Sequence, residues 1–273
     1  MPSYKLTYYN GRGLGELIRL TFVAAGVEYE DKRVNKTEWE ELKPNVAVRT
    51  MPFLEVDGSI IGQSLTIARY VARQHGLMPM DNLQQALVEQ IVDTVTDFRL
   101  EIFKAVFEFD EVRKVLLGTP LDFYAPAYPL YGYNSQPLRT DITGSSPSLG
   151  WSNNTSTTTS RWNFNTHFGS LTCPAEVSPT TQGEMMKKLN NETIPKYLDI
   201  LEGILLSNLG GESFFIGESM TLADICVFDG FNIPLEKKLI SLKEHPLLDS
   251  HYKRIEALPK ISEWLEKRPK SEY

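Results

Sequence analysis

Chemistry at neutral pH needs an activated nucleophile, a metal, a phosphate cradle or a convergent set of hydrogen-bond donors. The sequence argues against the first three. There is no G-x-S-x-G, and neither Cys173 nor Cys226 has a neighbouring histidine in sequence to activate it. His75, His167, His245 and His251 are scattered without ligand spacing, and two cysteines make neither a disulfide framework nor a structural zinc site, so no metal is expected. Gly11-Arg12-Gly13-Leu14-Gly15 is glycine-rich and follows a strand pattern, but it has neither G-x-G-x-x-G spacing nor a P-loop lysine. What remains is a polar set at the ends of strands: Tyr8, Trp39, Lys43, the segment before Pro52, and Gln63-Ser64. Ligands of α/β sheets bind where strands end and helices begin. A helix start adds free N–H groups and a dipole that attract a carboxylate.

These residues need elements to position them. Tyr4 to Tyr9 alternates as a strand, and Gly13 to Ala25 carries helical spacing through Leu14, Ile18 and Phe22, ending before Gly26. A second strand runs from Tyr29 to Val34, followed by a polar helical stretch that holds Trp39 and Lys43. Asp57-Gly58 is a two-residue turn between two short strands, since both positions tolerate positive φ. Gln63-Ser64 then opens a helix through Ile67, Ala68 and Val71, with Ser64 as its expected cap. The order β-α-β-α-β-β-α predicts a small α/β domain over residues 1–80.

The remainder, residues 82–273, predicts an all-helical domain. Leu87, Val88, Ile91, Val92, Val95, Phe98 and Ile102 form one apolar stripe, and Leu189, Ile194, Leu198, Leu201 and Leu205 form another. Thr221 and Asp224 have capping-box spacing, with Met220 and Ile225 placed as a hydrophobic staple, which is a folding device rather than a catalytic pair. Hydrophobic residues at 41% and charged residues at 23% are enough for a buried core and exclude wholesale disorder. A net charge of −7 argues against nucleic-acid binding, which wants a basic field. No apolar stretch reaches the ~20 residues of a membrane span, and Met1 to Gly13 has no secretory h-region, so a cytoplasmic protein in a reducing compartment is expected.

The opening Tyr4-Lys-Leu-Thr-Tyr8-Tyr-Asn-Gly-Arg-Gly13 resembles that of sigma-class glutathione transferases. Trp39, Lys43, Met51-Pro52, Leu54 to Gly58, Gln63-Ser64 and Ile67 to Tyr70 continue the resemblance in register, as do Ile91 to Asp97, Met220 to Asp224, and Ala257 to Trp264 with Arg268-Pro269. It covers roughly residues 1–117 and 182–273. The resemblance implies a thioredoxin-like domain followed by a helical bundle, a cytosolic homodimer, and a detoxifying conjugation of glutathione to small hydrophobic electrophiles. It implies no cofactor, glutathione being the co-substrate.

The same resemblance assigns roles. Composition alone does not separate Tyr8 from Tyr4 or Tyr9; the family register selects Tyr8 as the phenol that stabilises the glutathione thiolate. Trp39 and Lys43 would hold the glycine carboxylate, Met51 and a cis Pro52 the cysteinyl backbone, Gln63 and Ser64 the γ-glutamyl carboxylate, and Asp97 the ammonium of glutathione bound to the partner subunit. Four departures stand out. Leu14 replaces an arginine and Lys104 a tryptophan of the vertebrate prostaglandin D synthases of this class, Thr96 replaces an acidic residue, and Arg49-Thr50 precedes the proline. The first three weaken a prostaglandin-isomerase reading and the divalent-metal effect associated with it, without touching the thiol site, and Arg49-Thr50 bears on the geometry of its loop. A crystallin-like structural protein on the same scaffold is the alternative to a transferase.

The largest departure is the block at about 118–181, rich in Ser, Thr, Asn, Pro, Gly and Tyr, with no Asp, Glu or Lys between Thr143 and Thr172. A functional surface loop, an insertion resembling that of cephalopod S-crystallins, and translated intron are the competing readings, and the abrupt edges and low charge of the block favour the last.

Overall fold

A computed structural model describes residues 2–107 and 179–271. The low-complexity block, and with it His167 and Cys173, lies outside the described residues apart from its last few positions.

The N-terminal elements follow the expected order. Strand β1 (Tyr4–Tyr9) leads to helix α1 (Glu16–Ala25), then β2 (Glu30–Val34), α2 (Lys36–Leu42), β3 (Phe53–Val56), β4 (Ser59–Gly62) and α3 (Ser64–Gln74). The four strands form one mixed sheet in the order β2-β1-β3-β4, with β1 parallel to β2 and antiparallel to β3. Central β1 is buried along most of its length, as a strand covered on both faces must be. The Asp57-Gly58 turn has φ of +46° and +86°, the geometry that the dipeptide was read to supply.

Helix α1 starts three residues later than its apolar spacing suggested, because Arg12 to Gly15 form a separate turn. Asn35 and Glu38 cap α2 reciprocally: the Asn35 side chain accepts the Glu38 N–H at 3.0 Å and Glu38 accepts the Asn35 N–H at 2.7 Å.

Beyond β4 and α3 the described chain is helical: α4 (Asn82–Phe107), α5 (Pro179–Lys188), α6 (Ile194–Ser207), α7 (Leu222–Glu236), α8 (Pro246–Glu256) and α9 (Pro259–Lys267). A π-helical turn at Leu189–Thr193 joins α5 to α6. Helix α7 is buried on nearly every side and packs on both α1 and α4. Its crossing with α4 is close because of Gly230, where an added Cβ would lie 2.5 Å from Val95 Cγ1. The stripe along α4 is buried as expected except at its first member, Leu87, which is 39% exposed.

The capping box of α7 is present. Asp224 accepts the Thr221 N–H at 2.7 Å and its hydroxyl at 2.9 Å. Its other oxygen accepts the Phe215 N–H at 2.8 Å and lies 2.9 Å from His251 Nε2. Four partners satisfy a carboxylate with no exposed surface, which is the condition for burying one.

Candidate active site

The register of the sheet decides which residues meet. Thr7 pairs with Phe53, and Phe53 pairs with Gly62. One step beyond those pairs stand Tyr8, Pro52 and Gln63, so three strands deliver them to the same end of the sheet. Ser64 follows at the start of α3.

Tyr8 is nearly buried, and its phenolic oxygen accepts the Leu14 N–H at 3.1 Å. The turn between β1 and α1 supplies that donor. The Arg12 carbonyl accepts the N–H groups of Gly15 and Glu16 at 3.0 and 2.9 Å, which leaves the Leu14 N–H to point at the tyrosine. Gly15 is required there: a Cβ would lie 2.6 Å from Tyr8 Cδ1.

Beneath the ring lies a set of buried charges. Arg19, with no exposed side-chain surface, has its guanidinium carbon 5.8 Å from the centre of the Tyr8 ring. It donates to the Gly11 carbonyl at 2.6 Å, the Tyr9 carbonyl at 3.3 Å, Glu16 at 3.3 Å and Asp31 at 3.1 Å. Glu16 also accepts Trp264 Nε1 at 2.9 Å and Arg268 at 3.0 Å. Buried ion pairs of this kind fix geometry more than they add net stability, and breaking one costs about 3–5 kcal/mol.

The Met51–Pro52 peptide is cis. Arg49, three residues before Pro52, is in the left-handed region at φ +48°, where a non-glycine residue is uncommon. Trp39 is buried with Val34, Val46 and Phe53 in a small core of its own, its ring 6.5 Å from that of Phe53. Lys43 caps the end of α2, where its N–H bonds the Trp39 carbonyl, and its side chain is half-buried.

The expected cap of α3 is displaced by one residue. Gln63, not Ser64, is the N-cap, at φ +69° and ψ +117°, and no side chain caps the helix there. Ser64 is the first helical residue and is half-buried. The left-handed turn at Gln63 swings the chain from β4 into the helix and leaves the first N–H groups of α3 without a side-chain cap, an arrangement that favours an anion.

Asp97 belongs to α4 and is exposed. Arg99, two positions on, pairs with Asp229 at 2.7 Å and reaches the Gly13 carbonyl at 3.4 Å. Burial raises the Asp229 carboxyl above the usual carboxylate range, and Arg99 opposes that rise. Cys226 is buried in α7 and burial pushes its thiol up to about 12, so it has no nucleophilic character at neutral pH. Among the described residues, no group of three or more His, Cys, Asp or Glu side chains is placed to hold a metal ion. No helix among them is long and apolar enough to cross a membrane.

Comparison with known proteins decides the family. Residues 4–73 match the glutathione S-transferase N-terminal domain and residues 166–268 the glutathione S-transferase C-terminal domain. The chain is 30% identical to hematopoietic prostaglandin D synthase of Gallus gallus over 99% of both chains. The chain belongs to the glutathione S-transferase family. Within that family it is also 28% identical to S-crystallin 4 of Enteroctopus dofleini over the full length of both. The crystal structure of the glutathione S-transferase from Ascaris lumbricoides superposes with a TM-score of 0.67 at 28% identity, covering both chains entirely. The thioredoxin-like fold and the helical domain read from the sequence are those of this family.

The departures from the family pattern acquire a local account. Leu14 contributes its backbone N–H, which any residue but proline can do, so the side-chain change leaves the donor to Tyr8 in place. Lys104 pairs with Glu101 one turn back on α4 at 2.7 Å. The Thr96 hydroxyl turns back to the Val92 carbonyl at 2.7 Å, and Asp93 is paired with Arg69 of α3.

The charges under Tyr8 were not legible as site residues in the sequence. The signal was Arg19, a charge inside the apolar run Leu17-Ile18-Arg19-Leu20. Such a residue is buried only if carboxylates come to it.

Proposed function

We propose that this chain transfers glutathione to small hydrophobic electrophiles, with Tyr8 stabilising the thiolate. The single observation that carries this reading is the Leu14 N–H on the Tyr8 oxygen, at the sheet end where Pro52 and Gln63 also arrive. A free thiol has a pKa of about 8.5 and is mostly protonated at neutral pH. A phenol that accepts a hydrogen bond donates its own hydrogen more strongly, since bonds in a chain polarise one another. Donation to sulfur favours the anion and so lowers the thiol pKa. The thiol proton leaves to solvent, the sulfur lone pair attacks the electrophilic carbon, and the leaving group departs with the bonding pair.

The rest of the tripeptide is charged, and the proposed binding residues match it. Ser64 and the uncapped start of α3 receive the γ-glutamyl carboxylate, with Gln63 alongside. Trp39 and Lys43, one helical turn apart, receive the glycine carboxylate. Met51, ahead of cis Pro52, offers its backbone to the cysteinyl peptide as an added strand would. Asp97 takes the ammonium of glutathione bound in a partner protomer, which makes the active species a homodimer. Residues 1–80 form the glutathione-binding domain in this reading, and residues 82–273, interrupted at about 118–181, form the helical domain. The activity is cytoplasmic and detoxifying.

The test is glutathione binding by calorimetry together with turnover of an aromatic halide. Binding with turnover is expected. Binding without turnover favours a crystallin-like structural role, and absence of both removes the transferase reading.

A further inference from the structure

The turn beneath Tyr8 is held from the helical half of the chain. Arg12 places its two terminal guanidinium nitrogens on the two carboxylate oxygens of Glu236, at 2.7 and 2.8 Å. Glu236 is the last residue of α7. This fork-to-fork geometry fixes orientation as well as distance. The Arg12 side chain is only 10% exposed, and its Nε is buried without a hydrogen-bond partner among the described residues. Glu236 is therefore what holds this guanidinium. Arg268 approaches the same carboxylate at 3.8 Å from beyond α9.

Arg12 is also the pivot of the turn. Its carbonyl takes the Gly15 and Glu16 N–H groups, and the Leu14 N–H between them reaches Tyr8. A displacement of the Arg12 guanidinium is thus transmitted through two peptide units to the donor on the phenol.

We infer that the Arg12–Glu236 pair is a positioning device for the thiol site: the end of α7 holds the β1–α1 turn so that the Leu14 N–H stays on the Tyr8 oxygen. In this way the helical domain sets how strongly Tyr8 stabilises the glutathione thiolate. The inference rests on the transferase reading above. The charged groups that face the turn are Arg19 and Glu16 from α1, Arg99 from α4, Asp229 and Glu236 from α7, and Arg268.

The sign of one effect separates positioning from simple charge. Glu236→Ala deletes a negative charge and leaves Arg12 positive. Coulombic attraction alone then lowers the pKa of a nearby thiol. Loss of positioning raises it, because the phenol loses its N–H donor. Glu236 is 46% exposed at its side chain, so its truncation leaves the core intact.

The experiment titrates glutathione bound to the full chain, reading thiolate absorbance against pH, alongside a pH–rate profile with an aromatic halide. For Glu236→Ala the apparent thiol pKa should rise and the neutral-pH rate fall about three- to tenfold, with the glutathione KM within about twofold of wild type. Glu236→Gln, which keeps one acceptor oxygen, should recover part of the loss. Arg12→Lys keeps the charge but loses the fork, and should shift the pKa in the same direction. Arg12→Lys decides the matter if Glu236→Ala does not fold. An apparent pKa that stays put or falls in these variants overturns the inference. A wild-type protein that binds glutathione without lowering its thiol pKa overturns the transferase reading instead.

Discussion

The backbone N–H of Leu14 lies 3.1 Å from the phenolic oxygen of Tyr8, six residues earlier in the chain. A tyrosine near the end of a strand is thus paired with the turn that follows it, and that bond orients its phenol. Preorganised donors cost no reorganisation at the moment of reaction.

Tyr8→Phe should cost rate far more than affinity. The ring and its packing remain, and only the hydroxyl goes. A hydrogen bond to a charged group contributes roughly 1.5–3 kcal/mol, so turnover at neutral pH should fall about ten- to a hundredfold. The deficit should shrink as the pH rises past the free thiol pKa of about 8.5, where solution supplies the thiolate. Glutathione affinity should change less than about threefold, because the residues proposed for its carboxylates lie elsewhere. A pH–rate profile of both proteins checks this; an equal rate at neutral pH makes Tyr8 a packing residue.

Gly15→Ala tests the contact behind the tyrosine. Gly15 has φ −84° and ψ −23°, so alanine meets no backbone penalty. Its Cβ would stand 2.6 Å from Tyr8 Cδ1, and the ring must move. Overpacking of this kind costs about 1–3 kcal/mol, and the Leu14 bond should be lost with the displacement. Thermal unfolding and turnover should both fall. A variant with wild-type activity would show that the ring position is not critical.

Ser64→Ala should weaken glutathione binding by about 1–3 kcal/mol while leaving the fold intact, since Ser64 makes no cap in the structure. Calorimetry gives the affinity and thermal unfolding the stability. A large loss of stability with unchanged affinity would reverse the assignment.

The exposed position of Asp97 on α4 acquires a ligand role only when a second protomer adjoins it. Sedimentation at micromolar concentration should give a dimer, and Asp97→Asn should weaken glutathione binding without dissociating it. A monomer with full activity removes this role.

Cys226 should resist alkylation in the native state. Its thiol is buried and raised to about 12, so almost no thiolate exists at neutral pH. Mass spectrometry of the Cys226 peptide should show modification in denaturant and none without it. Rapid native labelling would mean that α7 opens readily.

Local rules went a long way in this chain. The element order of the small α/β domain, the Asp57-Gly58 turn and the Thr221/Asp224 box all follow from short-range chemistry: periodicity, φ tolerance and side chains that cap the nearest backbone. The site residues are a different case. A register of short motifs is what proposes them, and nothing local selects Tyr8 over Tyr4 or Tyr9. Tertiary structure distinguishes Tyr4 from Tyr8: Tyr4 is buried with its hydroxyl 3.0 Å from His75 Nε2, and Tyr8 meets the turn before α1. The cap of α3 moved by one residue because the turn out of β4 places Gln63 in a left-handed conformation that a serine-cap rule does not anticipate. Trp39 lies in core because Phe53 and Val34, from two strands, close over it, a contact that the helix pattern does not contain. The buried charges were least legible of all. Arg12 and Glu236 lie 224 positions apart, and Glu16 and Arg268 lie 252 apart. Periodicity and capping reach three or four residues, whereas the desolvation of a charge is settled by whatever the whole fold brings against it, and only the assembled helical domain brings these carboxylates and arginines to one turn.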